Sequence, residues 1–406
     1  MKLNFLVGPV ALLMSAVAWD CQLRAGNFGE DTAFLKEYTS LIVLSDSKGQ
    51  AKVAVSPAWQ GRVMTSTAEG DKGLSFGWIN RETIASKKIQ PHINVFGGED
   101  RFWMGPEGGQ FSIFFAKGAK FEFADWQTPA VIDTLPFEVV RQSKDKAVFG
   151  AKFSLTNYSG TQFDVAVNRE VRLLDSAAAW EHLHAKASKD VRVVAYETDN
   201  QITNAGKEAW KKDTGLLSVW ILGMFNPSPS TTIVVPIKAG AESELGVKVT
   251  SDYFGSIPPE RLVVKDDVMF FAADGKYRSK IGISPKRSKA VLGSYDADHH
   301  VLTIVQFTQP EGVTDYVNSL WKLQDNPYGG DAANSYNDGP PAPGAKPLGP
   351  FYELESSSPA AALEPGKSLS HVHRTIHLTG PESVLDGIAK GTLGVSLDEI
   401  KAALKK

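Results

Sequence analysis

The sequence has one cysteine, Cys21, so no internal disulfide can close and the fold must be held by packing. It lacks charge of one sign: 43 basic and 46 acidic side chains leave a net charge of −3. No basic stripe or acidic block stands out, which excludes a nucleic-acid face and a charged tail. Beyond the first residues no apolar run is long enough for a membrane helix. There is no fixed-period repeat and no Pro/Ser-rich linker between strand blocks. The 406 residues therefore read as one large domain rather than an array. What the chain has in quantity is tryptophan and glycine, 9 and 36 residues. Tryptophan is costly to leave in water, so each one is a core anchor or a binding surface.

Lys2 precedes an apolar run from Phe5 to Val17, and Ala16-Val17-Ala18 has the small-x-small spacing of a cleavage site. Residues 1–18 are thus expected to be an export signal, placing the protein in the periplasm or outside the cell. Cys21 then becomes a candidate lipid-anchor site, although Trp19 and Asp20 are poor neighbours for that processing. Residues 19–380 carry the pattern of an all-β domain, a large antiparallel sandwich. Short β-branched or alternating runs are expected as strands at 40–44, 51–55, 111–115, 121–123, 137–140, 163–167, 191–194, 232–235, 301–305 and 372–378. Residues 381–406 change to helical spacing, and Ser396 with Glu399 predicts a capping box.

Three segments interrupt this pattern and hold the candidate chemistry. The glycine-rich stretch 97–110 is expected to be a loop. It gathers Glu99, Asp100, Arg101, Trp103, Glu107 and Gln110, a density of polar and planar groups suited to sugar hydroxyls and C–H faces. The stretch 330–341 supplies Tyr336, Asn337 and Asp338. Its oxygen-rich side chains do not fit the twelve-residue EF-hand loop, and Asn-Asp-Gly-Pro is also a plain turn former. In the third, Glu353 and Glu355 fall on one face of a strand, where two close carboxyls raise each other's pKa as a general acid or base requires. His371, His373 and His377 share parity in the last strand, but that spacing is too long for one zinc ion, and no motif points to a metal or another cofactor.

The run from Tyr352 to Pro359, then Leu363 to Ser368 and a His-rich strand, resembles the C-terminal signature of aldose-1-epimerase-like proteins of the galactose mutarotase-like superfamily. Val55 to Val63 is similar to that family's opening element, and Asn200 to Asn204 to its Asn-x-Thr-Asn strand. The resemblance implies a β-supersandwich with a sugar in a concave pocket and Glu355 as catalytic base. It also implies two histidines, and here the chain departs: Ala205-Gly206 follows Asn204, so the second is absent. His92 lies near the first position in a different pattern. Ring opening of an aldose needs a base at the anomeric hydroxyl and an acid at the ring oxygen. The candidates for the acid are His92, Arg101, Glu99 and Glu107, with Arg101 poor because it stays protonated.

Two expectations follow. An epimerase or glycoside-cleaving enzyme would bring Glu355, Arg101, Trp103 and His92 together in a deep pocket. A carbohydrate-binding protein without turnover would show Trp103, Trp126 and Trp220 along a shallow groove with unperturbed carboxyls. The remaining contacts to sugar are expected from Asn204 and Glu353, and the partner expected in either case is a mono- or oligosaccharide.

Overall fold

The computed structural model describes residues 26–404. The expected export signal and Cys21 lie outside the described residues. Among the described residues, three antiparallel sheets make up the architecture. The largest has ten strands in the order Leu262–Val264, Val268–Ala272, Thr231–Pro236, Val291–Asp296, Val301–Phe307, Ser368–Thr379, Arg192–Asn204, Gln162–Leu173, Lys146–Thr156 and Glu138–Gln142. A five-stranded sheet runs Ser279–Ile283, Ala333–Asn337, Tyr352–Ser357, Ser218–Phe225 and Arg101–Gly105. A small sheet of Ile42–Ser45, Lys52–Ser56 and Arg62–Thr67 sits beside them.

Alternation dictates how these sheets stack. In Gln162–Leu173 the buried residues are Phe163, Val165, Val167, Arg169, Val171 and Leu173, every second position. Their apolar members share a core with Val219 and Ile221 of the five-stranded sheet. Ile281, Ile283 and Leu354 of that sheet pack against Ile233, Phe271, Leu292 and Val305 of the large one. The opposite face of the large sheet carries Val234, Phe270, Leu302, Ile304 and Ile376. It is covered by the helices Ser176–His182, Glu382–Leu393 and Leu397–Ala403 through Trp180, Leu385, Ile388, Leu393 and Ile400. The C-terminal helices are therefore part of the outer wall. The predicted capping box is present, Ser396 and Glu399 bonding reciprocally.

Some expected strands are corrected. Residues 111–115 and 121–123 form no ladder beyond one isolated bridge, Phe115 to Trp126. Their aromatic rings instead pack on one another and on Trp126 and Trp321. Burying such rings satisfies the hydrophobic term without a strand partner. Conversely, Arg101–Gly105 lies inside the expected loop yet forms the edge strand beside Ser218–Phe225, and Ala333–Asn337 forms a strand inside the second. Glycines bracketing five residues hid their period.

An arginine at an inward position of Gln162–Leu173 breaks the apolar pattern. Arg169 is fully buried and is satisfied throughout. It donates to Asp100 Oδ1 at 2.6 Å, to the carbonyls of Asp100 and Gly61 at 3.2 Å, and to Asn200. Asp100 also accepts from Thr198 Oγ1 at 2.9 Å. This clamp ties the start of the edge strand to the large sheet and so positions the residues that follow.

Candidate functional site

Directly opposed residues of antiparallel strands share a face. Across the five-stranded sheet one row runs Lys280, Tyr336, Glu353, Met224; the next runs Gly282, Asn334, Glu355, Leu222, Arg101. Trp220 and Trp103 oppose each other one step further along. The face turned away from the large sheet therefore collects two carboxyls, a lysine, an arginine and two tryptophans that are up to about 250 residues apart in sequence.

These groups bond to one another. Lys280 Nζ donates to both oxygens of Glu355, at 3.0 and 2.9 Å. Trp220 Nε1 donates to Glu355 Oε2 at 2.9 Å. Arg101 donates to Glu353 Oε1 at 2.6 Å, and its guanidinium lies 4.9 Å from the Trp103 ring centre. Lys280 stands 4.8 Å from the Trp220 ring. Tyr253 and Asp331 close over the row through a short hydrogen bond to each other, and Asn334 donates to both at 3.3 Å. Gly282 permits this approach: a Cβ there would meet Asp331 Oδ2 at 2.1 Å and the Tyr253 hydroxyl at 2.4 Å.

Glu353, Glu355, Arg101, Trp103 and Trp220 are buried, whereas Lys280, Glu107, Asp331, Tyr253 and Trp321 keep partial exposure. Approach to the buried pair therefore runs past those five. Burial pushes the Glu107 carboxyl up to about 7; Lys280 opposes this and Glu355 adds to it. The indoles of Trp321 and Trp126 also oppose it. The Trp126 indole acts on Glu107 as a hydrogen-bond donor, although its Nε1 does not meet strict hydrogen-bond geometry. Burial likewise drives Glu353 above the ordinary carboxyl range, Arg101 opposing and Glu355 adding. Among the described residues, Arg101 Nε, Trp103 Nε1 and Trp126 Nε1 are buried donors with no hydrogen-bond partner. Such unspent donors cost free energy unless a ligand or water takes them.

Of the residues singled out from sequence, Arg101, Trp103, Glu107, Trp220, Glu353 and Glu355 come together. Tyr336 shares their face, its hydroxyl donating to Asp338 at 2.6 Å, and Asp338 also accepts from the Gly349 N–H at 2.8 Å. The others are engaged elsewhere. Glu99 accepts from Ser66, Tyr196 and His377 between the sheets. Asp100 belongs to the Arg169 clamp. Gln110 bonds the backbone of Gln324, Asn204 the carbonyls of Glu208 and Leu363, and Asn337 the turn at Gly275 and Tyr277. His92 has a left-handed backbone (φ 67°) and bonds the Trp126 carbonyl at 2.6 Å, its ring against Phe123. His371 and His373 share Ser356 Oγ at 2.8 Å each, and among the described residues no three metal-ligating side chains cluster. Sequence reasoning missed Lys280 and Tyr253, and it read Asp331 only as one of the oxygen-bearing groups of the 330–341 stretch. Lys280 was legible only as a charged residue within an apolar alternating run.

A mostly-β sandwich with a charged, tryptophan-walled cluster on its smaller sheet thus defines the class. The chain belongs to a family of unknown function, DUF6786, which matches residues 26–404. No curated protein matches it. Solved structures to which it is similar include the Slr1438 protein from Synechocystis sp. PCC 6803, at 14% identity and a TM-score of 0.48, covering 84% of this chain and 96% of that one. A galactose mutarotase-like protein from Lactobacillus casei ATCC 334 is 11% identical with a TM-score of 0.45, covering 84% and 100%. A galactose mutarotase related enzyme from Lactobacillus acidophilus is 11% identical with a TM-score of 0.44, covering 84% and 97%. These likenesses concern the arrangement of strands.

Proposed function

We propose that this protein binds a carbohydrate over the Glu353–Glu355 face and interconverts the anomers of an aldose, with Glu355 as general base. The observation that carries the reading is the company Glu355 keeps. It is held by Lys280 and Trp220 while a second carboxyl, Glu107, sits at the partly exposed rim and a third, Glu353, is paired with Arg101. Sugars present C–H faces to aromatic rings and hydroxyls to donors and acceptors. Trp103, Trp220, Trp126 and Trp321 supply the first. The unspent donors of Arg101, Trp103 and Trp126 supply part of the second. Binding without turnover is the second reading, favoured by the commitment of both buried carboxylates to cations.

The test is anomer exchange of D-glucose and D-galactose, followed by NMR, with wild type and Glu355→Gln. Loss of exchange in the variant, with sugar-induced thermal stabilisation retained, supports the isomerase. Stabilisation without exchange in either protein selects the binding reading, and no stabilisation by any mono- or oligosaccharide sinks both. Export, the other expectation from sequence, is proposed on the same footing and is checked by fractionating cells that make the full chain.

A further inference from the structure

We propose that Glu107 is the catalytic acid that protonates the ring oxygen while Glu355 takes the anomeric proton, a role the sequence left open among His92, Arg101, Glu99 and Glu107. This rests on the isomerase reading above. Glu107 follows the edge strand Arg101–Gly105 and is anchored through its backbone. Its N–H donates to Ser319 Oγ at 3.1 Å and its carbonyl accepts from Ser112 Oγ. No cation is in ion-pair contact with the side chain among the described residues, although Lys280 and Glu355 are near enough to act on it through space. A carboxyl placed by its main chain at a partly wet rim, met by the Trp321 and Trp126 indoles but paired to no cation, can exchange a proton with a ligand.

The groups facing it come from four segments. Lys280 lies on Ser279–Ile283, Glu355 on Tyr352–Ser357, and Trp321 and Trp126 lie on two loops. Burial dominates among them and brings the carboxyl to about 7, where an acid is both populated and willing to give up its proton near neutral pH. The competitors are worse placed. His92 is held by the Trp126 carbonyl and touches none of the cluster's charged groups. Arg101 cannot release a proton, and Glu353 is shut in against it. Tyr253 is occupied by Asp331, and burial lifts its hydroxyl well above its ordinary range.

The step balances without a co-reactant. Glu355 removes the anomeric hydroxyl proton and that O–H pair becomes the second bond of the carbonyl. The bond between C1 and the ring oxygen breaks, its pair goes to that oxygen, and Glu107 delivers the proton. After rotation of C1 the reverse transfers close the ring on the other face and restore both carboxyls.

The experiment measures anomer exchange of D-glucose and D-galactose from pH 5 to 9 for the full chain, Glu107→Gln and Glu107→Asp. Glu107→Gln is expected to lower kcat by roughly 10²- to 10⁴-fold with little change in KM. The loss of activity as pH rises through about 7 should be missing from its residual rate. Glu107→Asp should recover part of the rate, as a role in packing alone would not. Wild-type exchange with Glu107→Gln at full rate, or with the limb near pH 7 intact, overturns the assignment and leaves the isomerase standing. A wild type that accelerates neither sugar overturns both.

Discussion

Replacing Arg169 by methionine tests whether the inter-sheet clamp holds the edge strand in place. The arginine is fully buried and makes four hydrogen bonds, two of them to Asp100. Methionine keeps much of the volume but leaves the Asp100 carboxyl buried, with only Thr198 Oγ1 still donating to it. Removing one partner of a buried ion pair costs about 3–5 kcal/mol, chiefly because the other charge is stranded. The individual bonds are not to be summed on top of that figure, since they share one desolvation penalty. Asp100→Asn should cost a comparable amount for the opposite reason, a guanidinium without its anion. The double variant removes both charges, and an apolar or neutral replacement of a buried pair is often close to neutral. Urea unfolding of the four proteins gives the cycle. The coupling is expected to recover most of one single-variant loss, so that the double variant is more stable than the sum of singles by at least ~2 kcal/mol. Additive losses, or a single-variant cost below ~1 kcal/mol, would refute the clamp.

Two further outcomes follow from the same structure. His371 and His373 are buried and pushed down, to about 3 and about 4, chiefly by desolvation; His373 adds to this at His371, while at His373 Asp100 opposes it and Arg169 and Arg374 add to it. The unfolded chain takes up these protons near pH 6.5 and the folded one does not, so their contribution to stability is present above that pH and lost as pH falls toward 4. Each contributes up to about 1.4 kcal/mol per pH unit in that window. Glu107 and Glu353 act with the opposite sign, because their raised carboxyls favour the folded state at low pH. The quantity to read is therefore the difference between the His371→Asn/His373→Asn variant and wild type. The variant should lose up to about 2.7 kcal/mol per unit of acid sensitivity between pH 6 and 4, and parallel pH profiles would refute it. Gly282→Ala should displace Asp331 and Tyr253, because its Cβ would lie 2.1 and 2.4 Å from them. We expect sugar-induced stabilisation to be lost while the far-UV circular dichroism stays that of a β-protein; unchanged sugar binding would show that the Tyr253–Asp331 cover is dispensable.

How much of this was legible before folding depends on the range of each interaction. Alternation every second residue is local, and it located the long strands around residues 163–167, 301–305 and 372–378. The helix-spaced tail and its capping box at Ser396 and Glu399 were local too. The parity of Glu353 and Glu355 needed only a strand to put both on one face. Where two local signals conflicted, the reading failed. Glycines on both sides made Arg101–Gly105 look like a loop, and the aromatic density at 111–115 looked like a strand, because neither glycine nor aromatic content reports which partner lies across the gap. Sequence by itself determined the class of the fold and singled out the three carboxyls at the site. The tertiary structure alone decided which groups those carboxyls meet. It brought in Lys280 through the pairing of Ser279–Ile283 with Ala333–Asn337, and it withdrew Glu99, Asp100 and His92 into contacts of their own. Register across a sheet is fixed by long-range packing, and a charge 75 residues away along the chain leaves no mark on the local pattern of the glutamate it will neutralise.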